Sequence, residues 1–486
     1  MLMKRDSEKG SALIFALMLL LVLSAMAGSL MFLSTSETWS SMNYRMMTQA
    51  RYGAEAGVNA AANFLMSANY VPPAAPAAGP GANVFAGFDV TQYPVKTAGG
   101  GDVYLSTLAG QPSTYPNPAM QGAFVAAMGA NQPLQAGANR VNYSASARLM
   151  SMVSVQAFGT TIPVTIQTWE ITAHGDIANV NNAEAEVVTT LERYISPAFS
   201  YSAFADASGC SSLSFTGNGT TNGYDSTGLP VVGGVVQAPT GANLLGYGGN
   251  VGTNGNETNG GNPTINGTLS TPNAGFGVCS AGNVTALSGN LNQVTGGLIQ
   301  MPQAVSFPAP TVPAPGTTNV SNTATLAPGN YGDINLSGNN VVTLTPGTYN
   351  INSLSITGNA QLVVAPDPIT GQYGPIIVNV TGNNNATPID LEGNGISNPT
   401  YDPSLLQFVY GGTGTIKIAG NGASAAVVYA PNATADFKGN ATFYGSVIAN
   451  QLLDVGNGAI YYDLKLRKKL FTIGNYVLNA FTWNKY

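Results

Sequence analysis

Few residues in this chain are suited to chemistry. Asp390 and Glu392 stand two apart, a spacing that puts both carboxylates on one face of a strand, and paired carboxylates can serve acid/base cleavage of a glycan. The cationic support such cleavage needs is missing, because no Lys or Arg occurs between Arg193 and Lys417. His174 is the single histidine and is expected to be a structural or surface residue, not a general base. Cys210 and Cys279 are the only cysteines. In an exported body they have the option of one disulfide, and with one histidine they fall short of a four-ligand zinc site. The Gly-rich run from Gly246 to Gly261 lacks the Gly-Lys-Ser/Thr ending and the following helix of a phosphate loop. Asp and Asn are frequent enough to offer oxygen ligands, but neither a twelve-residue calcium loop nor a nonapeptide repeat occurs. The expectation is therefore a non-enzymatic protein with no catalytic residues, no metal site and no cofactor.

Composition points the same way. Only 8% of the 486 residues are charged, 44% are hydrophobic and 59 are glycine. Low charge joined to that much apolar content argues against disorder and for many short strands joined by Gly/Asn turns. The cation-free stretch carries eight acids, Asp206, Asp225, Glu257, Asp333, Asp367, Asp390, Glu392 and Asp402, so nucleic-acid binding there is not expected. Lys465, Arg467, Lys468 and Lys469 cluster near the end of the sequence. A solvated strand or turn is one reading of them; contact with an acidic neighbour or lipid headgroups is the other.

The elements follow from periodicity. Residues 11–36 carry no charge, and as a helix would span about 39 Å, enough for one membrane pass. Lys4, Arg5 and Lys9 hold the preceding residues on the cytoplasmic side, so the remainder is exported. The helical pattern continues to about Leu65, ahead of Pro72 and Pro73. Residues 71–138, rich in Ala, Pro and Gly, suggest an insertion or a loosely ordered loop. Segments 141–155, 161–172 and 185–195 alternate like strands and predict an antiparallel sheet packed on the exported half of the helix.

Beyond Ser200, Gly-Asn pairs recur at 217, 289, 338, 358, 382, 393, 420, 439 and 456, with brief apolar strands between. A period near twenty residues predicts a parallel β-helix (solenoid) whose corners use residues tolerant of left-handed backbone, with asparagines stacked along the axis. A β-sandwich is the alternative. Phe307 to Pro315 is expected to be a long connection lying across the solenoid, and Trp483 is placed to return to the sheet.

The junction Lys9-Gly10-Ser11 sits in front of the apolar stretch, not behind it as in a secretory signal, so cleavage there would leave the apolar helix on the mature chain. Gly10-Ser-Ala-Leu-Ile-Phe-Ala-Leu-Met-Leu-Leu-Leu-Val-Leu, with Arg51 and Ala54-Glu55-Ala56-Gly57 downstream, resembles the start of PilX-type minor pilins over about 60 residues. The resemblance implies a class III leader at 1–10, cut between Gly10 and Ser11 by prepilin peptidase, with Ser11 N-methylated. It also implies helix packing and assembly through the segment holding Phe15 and Glu55. Major pilins carry a glutamate where this chain has Phe15. Losing that pairing disfavours repeated stacking and implies a low-copy initiating, tip or interspersed subunit. Segments Asn222-Gly-Tyr-Asp-Ser226, 429–433 and 443–449 resemble a β-helical domain fused to some PilX-like proteins.

The domains expected are the leader (1–10), a transmembrane or filament helix (11–66), an insertion (67–139), a pilin-like sheet (140–200), the solenoid (201–465) and a final strand segment (466–486). The function expected is a minor pilin-like subunit of a type IV pilus or related filament, displaying the β-helical module for assembly initiation or adhesion. Its partners would be other pilins, the assembly machinery, prepilin peptidase and the inner membrane, with surface glycans as the ligand class. The body would be periplasmic before assembly and at the cell surface or in the filament afterwards. A secretion-system pseudopilin and a membrane-anchored β-helix acting on glycans are the alternatives.

Overall fold

The computed structural model describes residues 9–74, 85–129, 134–136, 139–178, 183–392, 395–419 and 423–485. The expected leader at 1–8, part of the insertion, and the Gly-Asn pairs at 393 and 420 fall outside the described residues.

The chain begins with one long helix, α1 (Lys9–Met66). Among the described residues nothing covers it from 11 to 45: Phe15 is 73% exposed and Phe32 76%. From Met46 onward the helix lies on a sheet, burying Ala50, Ala54, Val58, Ala61, Phe64 and Leu65 at helical spacing. That sheet comprises β1 (Tyr104–Ser106), β2 (Asn139–Gln156), β3 (Pro163–Ile177), β4 (Glu184–Pro197) and β5 (Phe471–Lys485), paired antiparallel in that order. Inward residues alternate along β3, where Trp169, Ile171 and Ala173 face the helix. Close approach explains Gly175: a Cβ there would come within 2.1 Å of the Ala50 carbonyl oxygen, so any side chain would push helix and sheet apart.

The loosely ordered loop expected at 71–138 is corrected. Within it β1 joins the sheet, and α2 (Pro118–Gly129) buries Phe124 and Met128. Phe85, Val95, Val103, Leu105 and Tyr115 complete the same core. Pro72 and Pro73 do follow the end of α1.

Between β4 and β5 the chain leaves the sheet and builds a stack of parallel ladders. Phe471 lies opposite Pro197, so the whole stack is inserted where a hairpin turn would otherwise stand. Three ladders repeat in the same chain order. One contains Ala203–Ala205, a second Leu213–Phe215 and a third Thr220–Tyr224. Inward positions form continuous columns. Along the second ladder Ile334, Leu354, Ile389, Ile416, Ala435, Leu452, Leu213, Glu257 and Leu287 are in register.

That register exposes an order the chain does not follow. Residues 203–224 pair on one side with Val251–Thr253, Glu257–Asn259 and Thr264–Ile265. On the other side they pair with Thr442–Gly456 and Ala459–Asp463. The chain thus joins the stack in its middle, builds one arc (203–300) outward, then crosses to the far end and builds a second arc (320–463) back to the starting point. We call the junction between 203–224 and 442–463 the seam.

The crossing is made by the proline-rich run, which touches successive strands of the first ladder. Val305 exchanges hydrogen bonds with the Asn254 side chain (2.8 and 2.7 Å), and Phe307 packs on Phe204 with ring centroids 4.8 Å apart. Tyr429 Oη donates to Pro308 O (2.8 Å), Thr381 Oγ1 to Pro313 O (3.4 Å), and Gly316 N to Tyr331 O (2.9 Å). Past the stack, Trp483 pairs in register with Val187, which returns the chain to the antiparallel sheet.

Candidate functional site

Two regions carry functional weight: the uncovered helix and the outward surfaces of the stack. In α1 the span from Ser11 is long and apolar enough to cross a membrane, and its most apolar window, of mean hydropathy 2.5, is wholly unburied. Ser11 and Phe15 lie in this uncovered part. Glu55 lies further on, beside the sheet, where it accepts from Arg51 Nε at 2.9 Å across one helical turn. The structure therefore does not bring Phe15 and Glu55 together; they are about eleven helical turns apart, one on bare helix and one on the packed segment.

On the second ladder Asp390, Lys417 and Asp436 are in register on consecutive strands, and all three are part-exposed. Lys417 Nζ also pairs with Glu392. The carboxylate pair singled out in the sequence is joined by a lysine 25 residues beyond Glu392, which ion-pairs Glu392 and stands in register with Asp390. Burial raises the Asp390 carboxyl, Glu392 adds to the rise and Lys417 opposes it. Asp390 Oδ1 itself is buried with no hydrogen-bond partner, so the lysine neutralises only one member of the pair directly.

His174 stands on the outer face of the antiparallel sheet, with Nδ1 2.8 Å from Glu184 and Nε2 3.0 Å from Glu186. Among the described residues no group of three or more His, Cys, Asp or Glu is arranged to hold a metal ion. Cys210 and Cys279 are joined by a disulfide across 69 residues of sequence. It ties the start of the first arc to the loop after Leu269–Thr271, where Phe276 adds a further bridge to Leu287 at the end of the stack. The basic cluster forms a short helical turn in which Arg467 and Lys468 are exposed and the other two cations meet acids. Lys469 pairs with Asp402, Lys465 lies 3.6 Å from Asp225, and Arg467 covers the Tyr462 ring and donates to Ser200 O. Those cations pin the place where the chain leaves the stack.

That exit is also the joint between the two modules. Phe199, Phe204, Val427, Ile448, Tyr462, Leu466 and Leu470 form one buried cluster, capped by Phe158 from the β2–β3 turn. Gly159 N donates to Gln407 Oε1 at 3.2 Å, adding a polar fix.

Sequence reasoning missed three buried acids. Glu257 occupies the apolar column between Leu213 and Leu287, wholly buried with both oxygens unpartnered, and burial pushes its carboxyl up to about 8. Asp454 lies between Phe437 and Phe215 and is pushed up to about 7 by burial alone. Asp463 is pushed to about 6, chiefly by burial, although its Oδ1 accepts from Ser226 N and Lys465 N. Their Asn- and Gly-rich flanks look like solvent turns, so only the register shows which way they point.

A long helix that begins uncovered and apolar, then packs on an antiparallel sheet, is the architecture of a pilin-like module. Comparison agrees: residues 9–59 match the PilX N-terminal family model, and residues 311–469 match a domain of unknown function (DUF7305). The N-terminal segment is thus similar to the PilX type, and the region similar to DUF7305 lies within the insertion between β4 and β5. A solved structure, the competence-associated pilin ComZ from Thermus thermophilus, aligns over 90% of this chain and 98% of that one, at 13% identity and a TM-score of 0.28. No curated protein matches.

Proposed function

We propose that the protein is a minor pilin-like subunit of a type IV pilus or related filament, built to carry a β-solenoid outward on a pilin stem. The observation that carries this reading is α1: its apolar stretch is left unburied by the described residues, in the segment that matches the PilX N-terminal family. Such a surface requires lipid before assembly and neighbouring helices afterwards. Leader removal between Gly10 and Ser11 by prepilin peptidase, and methylation of Ser11, belong to the same reading, as does the low-copy role implied by Phe15. The three parallel ladders are taken as the faces of the solenoid. Their parallel pairing supports that over a sandwich, whose neighbours run antiparallel.

The first ladder is occupied by the strap and the joint to the sheet, leaving the second and third to face outward. Those faces present amides and hydroxyls in rows, for example Asn335 and Ser355 in register on the second ladder and Thr325 and Thr343 on the third. Rows of this kind suit hydroxyl-rich partners such as surface glycans, which is the adhesive role assigned here.

The joint at Pro197 and Phe471 supplies the test. Replacing residues 198–470 by a short turn should retain the antiparallel sheet, membrane insertion and incorporation into filaments, while abolishing attachment of cells to glycan-coated surfaces. Unchanged attachment would remove the adhesive role. A mature N-terminus that retains Met1, read by mass spectrometry, would remove the pilin assignment itself.

A further inference from the structure

The seam differs from every other junction in the stack because the chain does not cross it. Strands 203–224 belong to one arc and strands 442–463 to the other, and they are held by backbone ladders between segments more than 200 residues apart. At this junction an inward position that is apolar in the second arc, as at Leu391, Ile418 and Phe437, becomes Asp454. Its carboxyl is 1% exposed, with neither oxygen hydrogen-bonded. The groups facing it are Phe437 on its own arc, Phe215 across the seam, and Gly219 and Gly458 at the corners. The glycines are required by the carboxyl: a Cβ on Gly219 would lie 2.1 Å from Oδ2, and one on Gly458 2.8 Å from Oδ1. No charged side chain contributes to its environment, so nothing inside the stack can stabilise an ionised form. A second seam acid, Asp463, lies opposite Tyr224 and faces Ser226, Asp402 and Lys465.

We propose that the seam is a proton-controlled hinge: when Asp454 ionises, the first arc parts from the second, while the 301–319 strap and the Phe199–Tyr462 cluster keep both attached to the stem. The inference rests on the register and on the orphaned carboxyl, and holds whether or not the stack is adhesive. The sign follows from where the proton binds more tightly. Burial raises this carboxyl from 3.8 to about 7, so closure is fully favoured below about pH 4 and is lost progressively as pH rises to about 7. Between pH 5 and pH 8 the opening equilibrium should rise about a hundred-fold.

Hydrogen exchange of the full-length protein in detergent micelles, corrected for the intrinsic pH dependence of exchange, reads this directly. Amides of 213–224 and 452–463 should lose protection on going from pH 5 to pH 8, while those of 347–380 hold theirs. Asp454→Asn, which mimics the protonated acid, should remove most of that difference. Equal protection of the seam at both pH values in the unaltered protein would overturn the proposal without recourse to any variant. So would an Asn variant that keeps the whole pH effect.

Discussion

The two arcs of the stack share one backbone plan and differ in what they enclose. Away from the seam acid Asp454, the inward columns of the second arc are aliphatic or aromatic, as in Ile334, Leu354, Ile389 and Ile416. In the first arc the same columns contain Glu257 and Asn259, and Thr253 and Thr271 are also buried. The first arc is also the one that carries the disulfide. Parallel ladders evidently hold their register with either filling. An apolar core supplies stability by burial, whereas a polar core leaves a deficit that a covalent tie offsets.

The largest test of that contrast is removal of the tie. Cys210→Ala with Cys279→Ala should destabilise the first arc by about 4 kcal/mol, judged by chemical denaturation followed with residue-resolved hydrogen exchange, and leave the second arc nearly unchanged. Next is the buried acid. Glu257 is raised from 4.5 to about 8, so stability is complete below pH 4.5 and lost as pH climbs through about 8. Glu257→Gln should therefore flatten the pH dependence of thermal melting and stabilise by a few kcal/mol at pH 8. A variant that melts at the same temperature as the parent at pH 8 would mean that the first arc already accommodates the charge. A smaller effect is expected at the corners, where Asn457 links Asn440 (3.1 Å) and Asn218 (3.0 Å) across the seam. Asn457→Ala should cost about 1 kcal/mol, felt by both arcs alike. Smallest of all, Lys417→Met on the outer charge ladder of the second arc should shift stability by less than about 1 kcal/mol, since its ion pair is part-exposed.

Much of this was legible where the signal is local. The helix ends at Met66 against an expected Leu65, and β2, β3 and β4 contain the three alternating segments almost whole. The Gly-Asn pairs mark real corners: Gly338, Gly358, Gly382 and Gly439 all take positive φ near 70°, and their asparagines stack. What escaped is tertiary. The core residues of 85–129 have no common period, because they fill one end of a helix–sheet interface rather than a face of a single element. The bridge from Lys417 to Glu392 depends on strand register, which no local pattern encodes. The basic cluster near residue 467 is a part-solvated turn as read, but its partners Asp225, Asp402 and Tyr462 could not be read locally because they are spread along the sequence.

The strap has a consequence for chain order. Taken in spatial order, the described strands of the stack follow from Val320 to Asp463, on to Ala203 and out to Gln300, so its two ends are the ones that the proline-rich run joins. In connectivity the stack is a circular permutation of one that would start at Val320 and end at Gln300, with the stem joined at the seam. Fused by an end, such a module would have offered one tip to the surroundings. Opened in the middle and seated between Pro197 and Phe471, it is balanced across its support, with an arm extending to either side.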